Sequence, residues 1–312
     1  MADNERAKYL SSNWRDGIFA GKVVFCTGGA GDICSAQVRA LVYLGADACI
    51  IGRNVEKTER MARSMAESRP EAKVLGFGAV DVRDYDSLKS AVDRCVKELG
   101  GIDFVIAGAA GNFLAPITQL SPKAFRSVID IDLIGSYHTL KATLSYLERS
   151  AAKHRSDGLT TPSKGTGGRI IFVSATLQYR GIPLQTHGCV AKAGIDTLSA
   201  QVAIEFGPRG ITSNIVAPGP IAETEGVKRL ARVEGLDGDL SRIPAGRFGS
   251  VKEVADATIF LFADTGSYVN GATVVVDGGS WRTQGVSDSK AFPYPGFLLS
   301  RNIDDNAQYT KL

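Results

Sequence analysis

The 312-residue sequence has no apolar run approaching the roughly 18 to 20 residues needed to cross a bilayer, so no membrane-spanning helix is expected. Met1 to Arg15 hold neither the apolar core of a secretory signal nor the Arg-rich, acid-poor pattern of a transit peptide, and a soluble protein is expected. Cysteine is sparse. Five residues (Cys26, Cys34, Cys49, Cys95 and Cys189) are scattered, odd in number and without a CxxC pair. That spacing argues against a disulfide framework or a zinc site and fits a reducing compartment; no metal is expected. An excess of one charge is also missing, since 36 Lys and Arg mix with 33 Asp and Glu for a formal net charge of +3. Neither a nucleic-acid nor a membrane partner is expected from such a surface.

What is present reads as an ordinary globular chain, 44% apolar and 22% charged. Its length suits one large α/β core with terminal extensions. We expect an extension over 1–20, a single Rossmann-type domain over 21–281 and a second extension over 282–312. Short apolar runs bounded by Gly or Asp alternate with longer amphipathic stretches, the pattern of repeated βαβ units. Strands are expected near Lys22–Thr27, Ala46–Ile51, Lys73–Val80, Phe104–Ala107, Arg169–Ser174, Thr212–Val216 and Ala272–Val276. Helices are expected near Ser35–Leu44, Val55–Glu67, Tyr85–Leu99, Lys123–Ser150, His187–Phe206 and Lys252–Phe262. Right-handed crossovers would join these strands into a doubly wound parallel sheet with helices on both faces, and a ligand belongs above the strand C-termini. The polar stretch between Ser150 and Gly168 reads as a surface excursion.

The first strand runs into Thr27-Gly28-Gly29-Ala30-Gly31-Asp32-Ile33 and then an apolar helix. A dinucleotide pyrophosphate needs a tight glycine turn, close backbone approach and helix N–H groups, and this context supplies all three. At the end of the second strand stands Arg53, where an NAD enzyme would carry an acid for the ribose 2′-hydroxyl; Arg suits a 2′-phosphate, hence NADPH. Asp81, with Val82 after it, follows the third strand; it either accepts from an adenine amine or starts the next helix.

The segments TGGAGDI, Ala107 to Phe113 (AGAAGNF), SVIDIDLIGS, SATL, Val190-Ala191-Lys192-Ala193-Gly194, PGPI followed by TEG, and Val275 to Gly279 resemble the ordered motifs of short-chain dehydrogenase/reductases. Several resemble the peroxisomal 2,4-dienoyl-CoA reductases in particular, the fungal type included, and the likeness runs from about Gly21 to Trp281. Most members of the larger family carry Tyr-x-x-x-Lys, whose Tyr protonates a carbonyl oxygen. Here the Lys is Lys192, but four residues before it stands Gly188. Carbonyl reduction by the usual route is disfavoured, because hydride addition to C=O needs a proton donor at that oxygen. The dienoyl-CoA reductases also lack that Tyr. The resemblance implies NADPH-dependent reduction of a conjugated 2,4-dienoyl-CoA to an enoyl-CoA in fatty-acid degradation, with donors stabilising an enolate and the proton ending on carbon.

By the same resemblance Lys192 binds the nicotinamide ribose, and Asp132 takes part in the proton route or organises a buried network. Ala109, Pro218, Gly219 and Ile221 line the nicotinamide side, and Thr224 touches the pyrophosphate. Asn112 and Phe113 face the thioester, with Asn112 equally suited to a turn. Ser174 and Thr176 donate toward substrate or cap local backbone. His187 and Cys189 flank the missing Tyr without the spacing of a nucleophile pair and read as packing. Val227, Leu230 and Val233 share one helical face, with Lys228, Arg229 and Arg232 elsewhere, as in a substrate lid or a solvated amphipathic helix. The resemblance further implies a homodimer or homotetramer built on the helices around Lys123–Ser150 and His187–Phe206.

Asp32 departs from the family turn, where a carboxylate beside pyrophosphate would repel it unless the acid points to solvent or caps its helix. That residue and the absent Tyr keep two alternatives open: a reductase-like binding protein without redox chemistry, and a biosynthetic ene- or imine-reductase acting on a small molecule without CoA. The terminal Thr310-Lys311-Leu312 is similar to the Ser-Lys-Leu address read by the peroxisomal import receptor; a chance polar tail would leave the protein in the cytoplasm.

Overall fold

A computed structural model describes residues 5–154, 166–230 and 243–283. Seven strands form one parallel sheet: β1 Val23–Thr27, β2 Asp47–Ile51, β3 Val74–Phe77, β4 Phe104–Ala107, β5 Arg169–Val173, β6 Thr212–Pro218 and β7 Thr273–Val276. Their order is β3-β2-β1-β4-β5-β6-β7, so the chain reverses direction of travel between β1 and β4. Registers such as Thr27 against Ala107 and Val173 against Val216 align the strand C-termini along one edge. A doubly wound sheet opens its ligand crevice at that reversal.

Both faces are covered, which is why the strands are apolar throughout rather than alternating. On one face α1 (Asp32–Tyr43), α2 (Val55–Ala66) and, further along the chain, the helix Val251–Phe262 pack over Val24, Cys26, Ile50, Phe104 and Ile171. Phe104 stacks there on Phe262 at 4.7 Å between centroids and meets Phe19 edge-on. On the other face lie α3 (Tyr85–Leu99), α5 (Gly135–Ala152) and α7 (Thr186–Phe206), over Phe25, Val105, Phe172 and Ile215. The short helices α4 (Pro122–Ile129), α6 (Leu177–Arg180) and α8 (Glu225–Leu230) stand at the C-terminal edge, and Val251–Phe262 is α9. Each fully buried large side chain contributes about 1.5–3 kcal/mol, so the sheet provides a rigid floor for that edge.

The segment before Gly21 also packs on this body. Leu10 and Phe19 are buried, and Asp256 on α9 accepts from the Ser11 amide and hydroxyl and from Trp14 Nε1.

The expected helix over Lys123–Ser150 is present as a continuous helical run, but not a uniform one. Between α4 and α5 the backbone makes a π-helical turn, Asp130–Ile134. Two hydrogen bonds accompany it: the Asp132 carboxylate accepts from the Gly111 amide at 2.6 Å, and the Ser136 hydroxyl donates to the Asp132 carbonyl. These bonds compensate the altered ladder, and a wider turn swings Asp132 toward the sheet edge. Residues 155–165 of the expected surface excursion, and the tail with Thr310-Lys311-Leu312, lie outside the described residues.

Candidate active site

The turn after β1 is shaped by Gly28. Its φ of +68° is one that side chains rarely adopt, and a Cβ there would come within 2.8 Å of Ala109 Cα and the Gly108 carbonyl. Thr27 fixes the same approach, its hydroxyl accepting from the amides of Gly108 and Ala109 at 3.2 and 3.4 Å. The turn then closes through the Gly31 amide onto the Gly28 carbonyl, and α1 begins at Asp32 with Gly31 as N-cap. No side chain caps α1, which leaves the first helical amides, Asp32 and Ile33 among them, open to an anion. A wall that a Cβ would fill and an uncapped helix start suit a dinucleotide pyrophosphate.

Asp32 is exposed, as the first of the two expectations for it has it. It does not cap its own helix; its carboxylate accepts from the Glu225 amide at 2.8 Å, at the start of α8. An acid in the phosphate turn is thus committed to the neighbouring segment. Thr224 sits beside it, with its hydroxyl donating to the Ile221 carbonyl and accepting from the Val227 amide. Of the lid expected from Val227 to Val233, residues 227–230 belong to α8 and residues 231–233 lie outside the described residues.

Arg53 is exposed after β2, and its charge reaches Asp81. The Arg83 guanidinium, hydrogen-bonded to both Asp81 oxygens, is the first cause holding that carboxyl below the usual range. Asp81 does not start α3: the N-cap is Asp84, which accepts from the amides of Asp86 and Ser87. Val82 is buried and its carbonyl bonds His138 Nδ1.

At the centre of the edge, Lys192 and Asp132 form a buried ion pair, Nζ to Oδ2 at 3.3 Å, with side chains 10% and 2% exposed. Lys192 also donates to the Val173 carbonyl at 3.0 Å. One helix turn earlier on α7 stands Gly188. A Cβ at Gly188 would meet the Asn112 amide at 3.2 to 3.4 Å, so Asn112 occupies the space over this position. Asn112 in turn donates to Gln185 Oε1 at 2.6 Å and accepts from the Phe113 amide. Neither the Gln185 contact nor the Gly188 contact was expressed in the sequence pattern, because each joins segments far apart in the chain.

Phe113 is partly exposed and stacks on His187, centroids 4.2 Å apart. Burial lowers the His187 pKa, partly offset by the Phe113 backbone and the Asp132 charge, so the ring is held neutral. Burial likewise pushes the Cys189 thiol up, away from a reactive thiolate. Ser174 and Thr176 close β5, both buried, and the Thr176 amide donates to the Pro218 carbonyl. Pro218 ends β6, Gly219 passes Asp277 so closely that a Cβ would lie at 2.4 Å, and Ile221 bridges to Gly249. Apart from Arg53, Asp81 and Val82, which follow β2 and β3, the sequence-predicted residues gather around two places, the glycine turn and the Lys192 cluster.

The sequence model of the family described as enoyl-(acyl carrier protein) reductase matches residues 28–280. The peroxisomal 2,4-dienoyl-CoA reductase SPS19, (3E)-enoyl-CoA-producing, of Saccharomyces cerevisiae is 47% identical over 270 residues, covering 86% of this chain and 87% of its own. The corresponding enzyme of Danio rerio is 38% identical over 267 residues, covering 85% and 83%. Among solved structures, levodione reductase superposes with a TM-score of 0.74 at 26% identity, covering 85% of this chain and 99% of its own. A short-chain type dehydrogenase/reductase from Mycobacterium ulcerans gives 0.75 at 26%, covering 86% and 92%. With a matching family over most of its length and relatives at this identity, the chain belongs to the short-chain dehydrogenase/reductases, nicotinamide-dependent oxidoreductases, in the group that contains the 2,4-dienoyl-CoA reductases.

Proposed function

We propose that this protein reduces a 2,4-dienoyl-CoA to an enoyl-CoA with NADPH. The observation that carries the reading is Gly188, with the Asn112 amide packed over it and the Lys192–Asp132 pair one helix turn away. Such a site has no phenol four residues before its lysine to protonate a ketone oxygen, yet it keeps a fixed cation and a buried acid. The relatives' printed names, 2,4-dienoyl-CoA reductase in Saccharomyces cerevisiae and Danio rerio, support the same reaction.

In this reading the nicotinamide, when bound, would supply the hydride that the far carbon of the conjugated system accepts. The protein handles the charge that then develops on the thioester oxygen. Asn112, Ser174 and Thr176 are the groups assigned to that oxygen, and donors set in place before reaction lose little free energy to reorganisation. Lys192 holds the ribose side and adds positive potential, while Asp132 keeps Lys192 oriented and serves the proton route. Thr27, Gly28, Gly31, Asp32 and Ile33 seat the pyrophosphate; Ala109, Pro218, Gly219, Ile221 and Thr224 border the nicotinamide half. Asp81 and Val82 meet the adenine, and Phe113 walls the acyl side.

NADPH consumption on adding a 2,4-dienoyl-CoA is the direct test, read as loss of nicotinamide absorbance; folded protein without turnover overturns the reading. Arg53→Asp tests the cofactor preference. Loss of a charge-assisted bond to the 2′-phosphate costs about 1.5–3 kcal/mol, so kcat/KM for NADPH should fall about 10- to 100-fold while that for NADH is kept. Equal losses for both cofactors count against the assignment.

Exposed apolar side chains on the π turn, α5 and α7 (Ile134, Tyr137, Val190 and Ile204) support a homodimer or homotetramer through these helices. Ile134 also lines a groove of about 670 Å³ with Ile117, Phe125 and Ile129. Sedimentation as a monomer at micromolar concentration overturns that assembly. The C-terminal Thr310-Lys311-Leu312 supports peroxisomal import, and the two relatives named above are peroxisomal. Unchanged targeting after deletion of these three residues overturns the import assignment.

A further inference from the structure

On α7, Gly188, Lys192 and Asp196 follow one another at four-residue spacing and therefore share one helix face. Lys192 holds the end of β5 through the Val173 carbonyl. Asp196 reaches the next residue, Ser174, through an intermediary. Gln178 on α6 points its Nε2 at Asp196 Oδ2, 2.6 Å away, and at the Ser174 hydroxyl oxygen, 3.1 Å away. The Tyr179 hydroxyl donates to the same Asp196 oxygen at 2.5 Å, and burial with that bond raises the phenol pKa to about 12, so it remains a donor.

We propose that Gln178, oriented by Asp196, is a positioning residue that aims the Ser174 proton at the substrate. The inference rests on the reading above in which Ser174 donates to the thioester oxygen. A carboxylate only accepts hydrogen bonds, so Asp196 determines which end of the Gln178 amide faces it. The NH2 end must point inward, and the same NH2 meets Ser174. Ser174 Oγ therefore accepts from Gln178 and cannot give its own proton back to that partner. Among the described residues the Ser174 hydroxyl has no other hydrogen bond, which leaves its single O–H free for a ligand oxygen. With the amide reversed, Gln178 Oε1 would take the Ser174 proton and face the carboxylate, an arrangement of two acceptors. Among the described residues the present orientation leaves Gln178 Oε1 and Asp196 Oδ1 buried without partners, so the amide is held by the Asp196 contact and not by a bond to its oxygen.

The test compares Gln178→Met, Gln178→Glu, Asp196→Asn and Ser174→Ala in the full chain, with NADPH and a 2,4-dienoyl-CoA. Gln178→Met should lower kcat about fivefold to tenfold, and Asp196→Asn should act in the same direction. NADPH Kd, by fluorescence titration, should stay within twofold in both. Gln178→Glu is the sharper variant. Its carboxylate captures the Ser174 proton, so kcat should fall at least tenfold near neutrality. Activity should recover as pH drops and the introduced carboxylate is protonated, at a pKa raised by the adjacent Asp196. A packing role alone would not produce that acid-side recovery. A Gln178→Glu profile parallel to the unmodified enzyme, or losses that track NADPH affinity, overturn the proposal. If Ser174→Ala lowers kcat while every Gln178 and Asp196 variant retains it, the positioning role fails and the reading of Ser174 stands. If folded Ser174→Ala that still binds NADPH turns over normally, the donor role of Ser174 itself fails.

Discussion

Replacing Lys192 with Met should lower kcat with a 2,4-dienoyl-CoA about 100- to 1,000-fold, the range expected when a preorganised charge-stabilising group is lost from a site. Stability should fall as well. Lys192 is the cation paired with Asp132, whose side chain is 2% exposed, and removing one partner of a buried pair costs about 3–5 kcal/mol. The two effects separate in the double variant Lys192→Met with Asp132→Asn, where no charge is left buried and unpaired. Its melting temperature should recover toward that of the parent while turnover stays low. A double variant that regains both would reduce Lys192 to a structural role, and single-variant turnover near the parent value would remove it from the chemistry altogether.

Gly28→Val should abolish measurable NADPH binding, an effect of more than about 100-fold in Kd. Two penalties act together: a β-branched residue at φ +68° is strained, and its Cβ would press within 2.8 Å of the Ala109 backbone. The turn must then open, spreading β1 from β4 beside the uncapped start of α1. Gly31→Ala is the contrasting variant. As the N-cap of α1 it has φ −81°, and its Cβ would meet only the Gly28 carbonyl at 3.2 Å, so binding should weaken by no more than about tenfold. Calorimetric titration distinguishes the two, and equal losses would show that turn geometry is not what seats the cofactor.

Much of the architecture was legible because a parallel sheet covered on both faces writes itself as repeated apolar runs. All seven expected strands are present, with ends displaced by at most three residues. The glycine turn was legible for a related reason, since positive φ and close approach leave glycine as the residue that fits. Apolar periodicity showed the helix across Asp130–Ile134 but could not register the π turn within it, where Asp132 meets the Gly111 amide 21 residues away. Asp32 was legible as an anomaly but not in its partner, which lies 193 residues further on.

From its residues alone, the chain determines the strand pattern, the phosphate turn, the absent phenol at Gly188 and the cation at Lys192, because each is a matter of local backbone preference or side-chain identity. Tertiary structure alone decides that Asn112 lies over Gly188, that Asp132 reaches Lys192, and that Asp196 acts on Ser174 through Gln178. Hydrogen bonds and ion pairs take direction only when distant segments are brought to within about 3 Å, and no one-dimensional pattern carries that information.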